Sequence, residues 1–129
     1  MSDLAILCVD DEVVILDSLK EQLKRRFGSQ YIYEVAQSAE EAWEVIEELQ
    51  EDEVDVIVIV SDWLMPGTKG DEFLIQVHQK FPRLIKVMLT GQADETAIKN
   101  AQEKANLHAC LYKPWTEQEL SQIITSALQ

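Results

Sequence analysis

Residues 54–70, VDVIVIVSDWLMPGTKG, decide the fold class of this chain. The run from Val54 to Val60 is almost continuously apolar and rich in β-branched residues, which is typical of a strand buried on both faces of a parallel sheet. It leads directly to one carboxylate, Asp62, and then to a loop that contains Pro66 and two glycines. A strand that ends in this way either caps its own turn with the carboxylate or presents the carboxylate to a ligand.

The overall composition indicates one acidic globular domain. The chain has 129 residues, 47% of them hydrophobic, and no repeat or linker divides it, so residues 1–129 are expected to form a single domain with one sizeable core. No apolar stretch approaches the roughly 20 residues needed to cross a bilayer. The N-terminus, MSDLAILCVDDE, lacks a basic lead and a cleavage site, so we predict a cytoplasmic protein with no membrane partner.

The charge balance narrows the classes of partner. There are 24 acidic and 11 basic residues, and the formal net charge of -13 repels phosphate backbones, so no direct nucleic-acid partner is expected. The only basic cluster, LKRRF at residues 23–27, follows a helical pattern and is interpreted as a solvated helix end. Cys8 and Cys110 lie in apolar runs, which favours buried thiols in a reducing compartment over a disulfide or a catalytic role.

Strand-like runs alternate with helical segments along the chain. The five apolar runs are LAILCV, YIYEVA, VDVIVIVS, LIKVMLT and HACLY. Between them, apolar residues recur at helical spacing, as in the stripes of the first helix (Leu16, Leu19, Leu23, Phe27) and the second (Trp43, Ile46, Leu49). This alternation predicts an α/β fold, a parallel sheet covered by helices on both faces and joined by right-handed crossovers.

Local signals mark where several helices begin and end. Ser38 with Glu41, and Thr116 with Glu119, have the spacing of capping boxes that start the second and last helices. Pro82 is expected to end the helix that precedes the fourth strand, because proline cannot continue a helix.

Polar residues follow four of the predicted strands. In parallel sheets, ligands bind beyond the carboxyl ends of the strands, so the strand-end residues are the candidates for a site. They are Asp10 and Asp11 after the first strand, Asp62 after the third, Thr90 with Gly91 after the fourth, and Lys113 with Pro114 after the fifth. Three carboxylates at one edge repel each other, and a hard divalent cation, Mg²⁺ or Mn²⁺, would relieve the repulsion.

This set of residues also suits phosphoryl chemistry. An aspartate oxygen can attack a phosphoryl group, and the cation, Lys113 and the Thr90 hydroxyl could stabilise its oxygens. Taken singly, each residue has a commoner structural explanation: a strand-end aspartate such as Asp10 more often caps a helix, Thr90 alone is a turn hydroxyl, and Lys113 alone is a surface lysine. Their coincidence at one sheet edge favours a site.

At these residues the sequence resembles the receiver domain of two-component response regulators. The motifs VDDE, SDWLMPGTKG, LTG and YKPW match that family in type, order and approximate spacing, and the D-x-x-M-P-x-x-x-G pattern is specific. The resemblance covers essentially the whole chain. It implies a flavodoxin-like, doubly wound, five-stranded parallel sheet in the order 2-1-3-4-5, and a cis peptide bond between Lys113 and Pro114.

The resemblance also implies the roles of individual residues. Asp62 would be the phosphoacceptor, Asp11 a direct metal ligand, Asp10 a ligand acting through water, and the backbone carbonyl of Leu64 a further ligand. Thr90 and Lys113 would bind the phosphoryl group. The protein would then not be an enzyme in the usual sense, but a phosphoacceptor domain that assists its own phosphotransfer and dephosphorylation.

One position departs from the family pattern. Receivers commonly have Tyr or Phe three residues before the lysine, where this chain has Cys110, so coupled movement of threonine and aromatic ring is in doubt and a shallower switch is expected. Strand alternation is expected to place Tyr112 on the opposite face from Cys110 and Lys113, so Tyr112 is not assigned the missing role.

The partners implied by the resemblance are a histidine kinase or phosphotransfer protein and an output domain or effector. A homodimer through the fourth helix, fifth strand and last helix is also among the implied assemblies. Two alternative functions stay open. One is an aspartyl-phosphate small-molecule phosphatase of the haloacid-dehalogenase type, for which Asp10 and Glu12 give D-x-E rather than D-x-D; the other is a degenerate receiver that only binds protein.

Overall fold

The computed structural model describes residues 3–91 and 95–129, and all structural statements refer to these residues. The strands are β1 (Asp3–Val9), β2 (Ile32–Ala36), β3 (Val54–Asp62), β4 (Ile85–Thr90) and β5 (Ala109–Tyr112). The helices are α1 (Val13–Phe27), α2 (Ala39–Glu51), α3 (Gly70–Lys80), α4 (Glu95–Lys104) and α5 (Glu117–Leu128), with a short 3₁₀ turn at Gly28–Gln30. None of the helices in these ranges is long and apolar enough to span a membrane.

The strands form one parallel sheet in the order β2-β1-β3-β4-β5. This order confirms the predicted flavodoxin-like topology. β3, the strand of the opening motif, is the central strand, and its residues from Val58 onward are buried. Because all strands run in the same direction, their carboxyl ends lie at one edge of the sheet, and that edge gathers the strand-end residues.

Two apolar layers cover the two faces of the sheet. On one face α1 and α5 pack their apolar stripes, with Leu19 and Ile124 fully buried. On the other face α2, α3 and α4 pack, with Phe73 fully buried. The predicted stripe of α1 is buried throughout, whereas Trp43 of α2 is only partly buried, against Phe73 and beneath the Lys80 ammonium.

The helix ends largely follow the predicted signals. Thr116 and Glu119 form the complete capping box at the start of α5. Ser38 accepts the Glu41 amide as expected, but the Glu41 carboxylate accepts from the amide of Gln37 rather than from that of Ser38, so the second capping box is incomplete. α3 ends at Lys80, two residues before Pro82, as predicted.

The basic cluster at the end of α1 has a structural role as well as an exposed surface. Arg25 donates to the Glu117 carboxylate at 2.6 Å, and Arg26 donates to the Ser121 hydroxyl at 3.0 Å. Nearby, the Trp115 indole N–H donates to the side-chain oxygen of Gln22 at 2.8 Å. The cluster therefore joins α1 to α5, which the interpretation as a merely solvated helix end did not include.

Candidate functional site

Three carboxylates meet at the carboxyl edge of the sheet. Oxygen atoms of Asp10, Asp11 and Asp62 all lie within 4.8 Å of one another. Asp10 is 0% exposed and Asp62 4%, whereas Asp11 is exposed. The cavity beside them, about 610 Å³ in volume, is also lined by Thr90 and Lys113. The structure thus brings the predicted strand-end residues to one place.

Lys113 joins the two buried carboxylates. Its Nζ atom lies 3.0 Å from Oδ2 of Asp10 and 3.3 Å from Oδ1 of Asp62. Burial alone would lower the pKa of the Lys113 ammonium, but the two carboxylates outweigh burial and hold that pKa above its ordinary value. Lys113 is therefore a fixed positive charge beside Asp62 rather than a solvated surface lysine.

Asp10 is not the N-cap of α1, although a strand-end aspartate often caps the helix that follows. Its Oδ1 atom accepts the backbone N–H of Glu12 at 2.8 Å, but α1 begins at Val13 and no side chain caps it. The other oxygen, Oδ2, is buried and makes no hydrogen bond of good geometry, so its contact with Lys113 is an ion pair only. A buried carboxylate oxygen without a hydrogen bond suits a hard cation.

The pKa of the Asp62 carboxyl group lies above its ordinary value. The pKa of this carboxyl group is raised from 3.8 to about 6, first by burial and then by Asp10, with Lys113 opposing the shift and Asp11 adding a smaller contribution. The dominant cause is removal of the carboxylate from water, with repulsion from the other two carboxylates added to it. A bound cation would favour the charged form that phosphoryl transfer needs.

The pKa shift of Asp62 predicts how stability depends on pH. Because the folded pKa lies above the unfolded value, the folded protein holds more protons between pH 3.8 and about 6, and wild type should lose stability relative to Asp62→Asn as pH rises through this window. Urea unfolding in EDTA at a series of pH values measures the difference.

Asp55→Asn is the matched control for the pH experiment. Asp55 lies on the same strand, is exposed and stands outside the carboxylate cluster. The difference between wild type and this variant should be nearly flat over the same window. A flat difference for Asp62→Asn as well would show that burial does not perturb Asp62.

The loop after β3 is closed by backbone contacts. The N–H of Trp63 donates to the carbonyl of Leu89 at 2.8 Å, and the N–H of Gly70 donates to the carbonyl of Trp63 at 2.8 Å. Met65 is buried in the core, and Leu64, two residues beyond Asp62, is 60% exposed at the cavity. The D-x-x-M-P-x-x-x-G motif thus anchors the loop through its methionine and its last glycine.

Thr90 and Lys113 are tied together through their backbones. The N–H of Lys113 donates to the carbonyl of Thr90 at 2.8 Å, and Thr90 is buried at the end of β4. The peptide bond between Lys113 and Pro114 is cis, as the resemblance predicted. The end of β5 therefore follows the end of β4 closely.

The expected orientation of Tyr112 is wrong. Cys110 packs against the apolar layer of α2, α3 and α4, and Leu111 packs in that of α1 and α5, so alternation along β5 puts Tyr112 on the same face as Cys110. The physical reason is the period of two in a strand: residues two apart point the same way, and only Lys113 is out of phase with both. Cys110 is also only half-buried, whereas Cys8 is fully buried; both thiols are free, as predicted.

Sequence reasoning missed some of the residues around this cavity. Trp63 lines it without a role assigned from the sequence, Glu12 was considered only for the D-x-E spacing of the alternative phosphatase, and Met65 only as part of the motif after Asp62. A larger cavity of about 800 Å³ lies at the opposite edge of the sheet, near Val54 and Leu84. It contains none of the strand-end residues, so volume alone does not locate the chemistry.

Comparison with known proteins assigns the family. A family model described as the response regulator receiver domain matches residues 6–125. This chain belongs to the response regulator receiver family. Receiver domains are the signalling modules of two-component systems, and they bind Mg²⁺ at an acidic cluster of the kind formed here by three aspartates.

Relatives and solved structures agree with this family. The chain is 30% identical over 124 residues to the hydrogenase transcriptional regulatory protein HoxA of Cupriavidus necator, covering 96% of the chain but 24% of HoxA. It therefore spans about a quarter of that relative. It is 27% identical to a chemotaxis protein CheY homolog of Campylobacter jejuni, covering 95% of the chain and 91% of the homolog.

Among solved structures, the receiver domain of an HD domain-containing protein from Pseudomonas fluorescens superposes with a TM-score of 0.87 at 28% identity. The superposition covers 99% of this chain and 95% of the other. A CheY-like receiver domain from Methanospirillum hungatei gives a TM-score of 0.84 at 29% identity, covering 99% and 94% of the two chains. Both neighbours are receiver domains of nearly the same length.

Proposed function

We propose that this receiver is a phosphorylation-dependent switch that accepts a phosphoryl group on Asp62. The observation that carries the proposal is the meeting of three carboxylates within 4.8 Å of one another, with the Lys113 ammonium 3.3 Å from Asp62. This arrangement combines a nucleophilic oxygen, positive charge for the phosphoryl oxygens and a candidate cation site, in a cavity open to a donor.

In the transfer step, an Asp62 carboxylate oxygen attacks the donor phosphorus. A new P–O bond forms to Asp62, and the bond to the donor breaks, releasing acetate from acetyl phosphate or a neutral imidazole, after protonation, from a phosphohistidine. Lys113 changes partner from the Asp62 carboxylate to the phosphoryl oxygens, and the Thr90 hydroxyl donates to one of them. Gly91 leaves room beside Lys113, since even a Cβ atom added at Gly91 would lie 3.9 and 4.0 Å from the Lys113 Cδ and Cβ atoms.

The acidic cluster fits Mg²⁺, with Mn²⁺ as the alternative. Such cations prefer hard oxygen donors, and Oδ2 of Asp10 is a buried oxygen whose contact with Lys113 is an ion pair without a hydrogen bond. Asp11 and Asp62 would be direct ligands, Asp10 a ligand through water, and the Leu64 carbonyl a further ligand. When bound, the cation neutralises carboxylate repulsion and stabilises the charge on the transferring phosphoryl group.

The proposed partners are those of a two-component pathway. A histidine kinase or phosphotransfer protein would supply the phosphoryl group, and an output domain or effector would read it through the β4-α4-β5-α5 face. A homodimer through the α4-β5-α5 face, a cytoplasmic location and a single domain over residues 1–129 belong to the same proposal. The shallower switch expected from Cys110 stays a prediction.

The test of this function is stoichiometric self-labelling. Incubation with acetyl phosphate and Mg²⁺ should add one phosphoryl group per chain, measured as intact mass. A small-molecule phosphatase would instead release phosphate from phosphomonoesters in the steady state, and a receiver used only for protein binding would take up no label. Either result would contradict the proposal.

Binding of Mg²⁺ should raise the melting temperature of wild type. At tenfold over its dissociation constant, one cation contributes about 1.4 kcal/mol. Asp11→Ala should respond less to Mg²⁺, because a proposed ligand is lost, and should be more stable than wild type without metal, because one repelling charge has gone. Thermal unfolding with and without Mg²⁺ measures both effects.

Asp17→Ala is the control for the Mg²⁺ experiment. Asp17 is an exposed aspartate of α1, outside the carboxylate cluster, and its replacement removes the same formal charge. This variant should keep the full response of wild type to Mg²⁺. Equal responses of Asp11→Ala and wild type would remove Asp11 from the ligand set.

A further inference from the structure

Lys86 is a charged side chain within the core. It lies on β4 and is only 1% exposed. Strand alternation places its side chain on the same face of the sheet as Met88, which is the face covered by α2, α3 and α4. Its neighbour on β3 is Ile59, and its carbonyl accepts the backbone N–H of His108 at 2.8 Å. A buried ammonium needs a partner, because removing its charge from water is costly.

The partner of Lys86 is the imidazole of His78. The Lys86 Nζ atom lies 2.8 Å from Nδ1 of His78, a residue in the last turn of α3. An ammonium can only donate, so Nδ1 accepts and the imidazole is neutral, with its proton on Nε2. His78 is only partly buried, so protons from solvent can reach its ring. The contact therefore joins the end of α3 to β4 through a group that titrates near neutral pH.

Carboxylates do not share the charge of Lys86. Within residues 3–91 and 95–129, Lys86 forms no ion pair with an aspartate or a glutamate. The buried residues of α4 are alanines, Ala97 and Ala101, and the charged residues of this helix are all exposed. The Lys86 ammonium therefore depends on the imidazole of His78.

The other titratable groups on the surrounding elements do not replace His78. Asp71 is partly buried but lies seven residues away, at the opposite end of α3. On β5, burial raises the pKa of the Cys110 thiol, so this side chain stays neutral. The remaining groups near the contact are exposed and can keep their charge in water: Lys80, Arg83, Lys104 and His108.

Protonation of His78 would break the contact. A proton on Nδ1 would bring an imidazolium and an ammonium together with no acceptor between them, and like charges repel. Burial first, and then Lys86, lower the pKa of His78 below its ordinary value of 6.5, which is the direction that this repulsion requires. The His78 ring can turn toward water, where the helix dipole favours a positive charge at the end of α3. Lys86 is buried, so its ammonium would lose its partner.

We propose that His78 and Lys86 form an acid-sensitive contact, which holds the end of α3 on β4 while His78 is neutral and releases it when His78 is protonated. Release opens the last turn of α3, where the Phe81 amide donates to the Val77 carbonyl at 2.7 Å, and admits water to Lys86. The contact uses none of the residues of the proposed phosphoryl-transfer site. The switch is therefore independent of the proposed function.

The protonation state of His78 can be tested in the full chain by NMR of the imidazole nitrogens, since the chain has two histidines. At neutral pH, Nε2 of His78 should carry the proton and Nδ1 should not. The midpoint of the His78 titration should rise in Lys86→Met, which keeps an unbranched apolar side chain in the core but removes the charge. A proton on Nδ1 of neutral His78, or an unchanged midpoint, would overturn the proposed contact.

The opening can be tested by hydrogen exchange of the backbone amides of residues 77–81. Wild type is compared with His78→Asn at the same pH, so intrinsic exchange and the titration of Asp62 are common to both proteins. Asparagine has a similar helix propensity, can accept from Lys86 and does not titrate. The two proteins should exchange at similar rates at neutral pH. At about pH 5 wild type should exchange at least about threefold faster, since an opening that raises the pKa of His78 by one unit becomes tenfold more favourable in acid.

His108→Asn is the matched control for the exchange experiment. It removes the other histidine side chain, which is exposed, and keeps the backbone N–H that bonds to the Lys86 carbonyl. Its exchange should follow wild type at both pH values, whereas the acid response should shrink in Lys86→Met. Equal exchange of wild type and His78→Asn at about pH 5 would refute the switch, and so would a full acid response in Lys86→Met.

Discussion

Asp62→Asn should abolish phosphoryl labelling by acetyl phosphate and Mg²⁺, whereas wild type takes up one phosphoryl group. Asparagine has nearly the same shape as aspartate, so the cavity is preserved, but its neutral amide is a poor nucleophile and a weaker cation ligand. The intact mass of each protein after incubation gives the stoichiometry directly. The unlabelled Asp62→Asn variant should also be the more stable protein at neutral pH without metal, because a buried charge with a raised pKa has been removed.

Two controls make the labelling result specific to Asp62. Asp55→Asn, an exposed change on the same strand, should label like wild type. The label on wild type should be released by hydroxylamine, as expected of an acyl phosphate and not of a phosphoserine. Full labelling of Asp62→Asn would refute the assignment of this residue as the phosphoacceptor.

Gly70→Ala should destabilise the whole domain strongly. A Cβ atom on Gly70 would overlap the carbonyl oxygen of Asp62 and lie 2.8 Å from both the Asp62 carbonyl carbon and the Trp63 Cα atom. These are backbone atoms at the end of the central strand and one residue beyond it, and they cannot move aside without distorting the sheet, so we expect a loss of about 3 kcal/mol or more. Alanine's better helix propensity returns only about 1 kcal/mol at most. Thermal and urea unfolding should show a fall in melting temperature of roughly 10 °C.

Gly91→Ala is the matched control for Gly70→Ala. Its Cβ atom would meet Lys113 only at ordinary van der Waals distance, so its unfolding free energy should stay within about 0.5 kcal/mol of wild type. If Gly70→Ala were as stable as Gly91→Ala, the close packing of α3 against the end of β3 would be refuted.

Most of the fold could be predicted because it follows from periodicity. Three features can be recognised within single segments of the sequence: the β-branched run before Asp62, the polar residues after the other strands, and amphipathic stripes such as that of α1. The departures are individual side-chain contacts, some between elements and one at the start of a helix. Arg25 and Arg26 bond to α5, and the Glu41 carboxylate reaches the amide of Gln37, contacts that no spacing in the sequence specifies.

The position of the candidate site could also be predicted from the sequence, but its side-chain contacts could not. The residue types and their order placed Asp10, Asp62 and Lys113 at one edge, because parallel strands share the direction of their carboxyl ends. The sequence did not indicate that Lys113 would join both carboxylates, nor that Asp10 would keep a buried oxygen without a hydrogen bond. Both features depend on the distances between the strands and on the course of the loops that follow them.

The sequence alone determined the α/β class, the sheet-edge position of the candidate site and the family resemblance, since each rests on patterns read within single segments. Tyr112 was the exception: the period of two already placed it on the same face as Cys110, and the opposite expectation misapplied that rule. Only the tertiary structure decided the raised pKa of Asp62, the ion pairs of Lys113 with Asp10 and Asp62, and the packing of Gly70 against the Asp62 backbone. These features arise from burial and from distances between atoms of different segments, and such quantities exist only once the chain has folded.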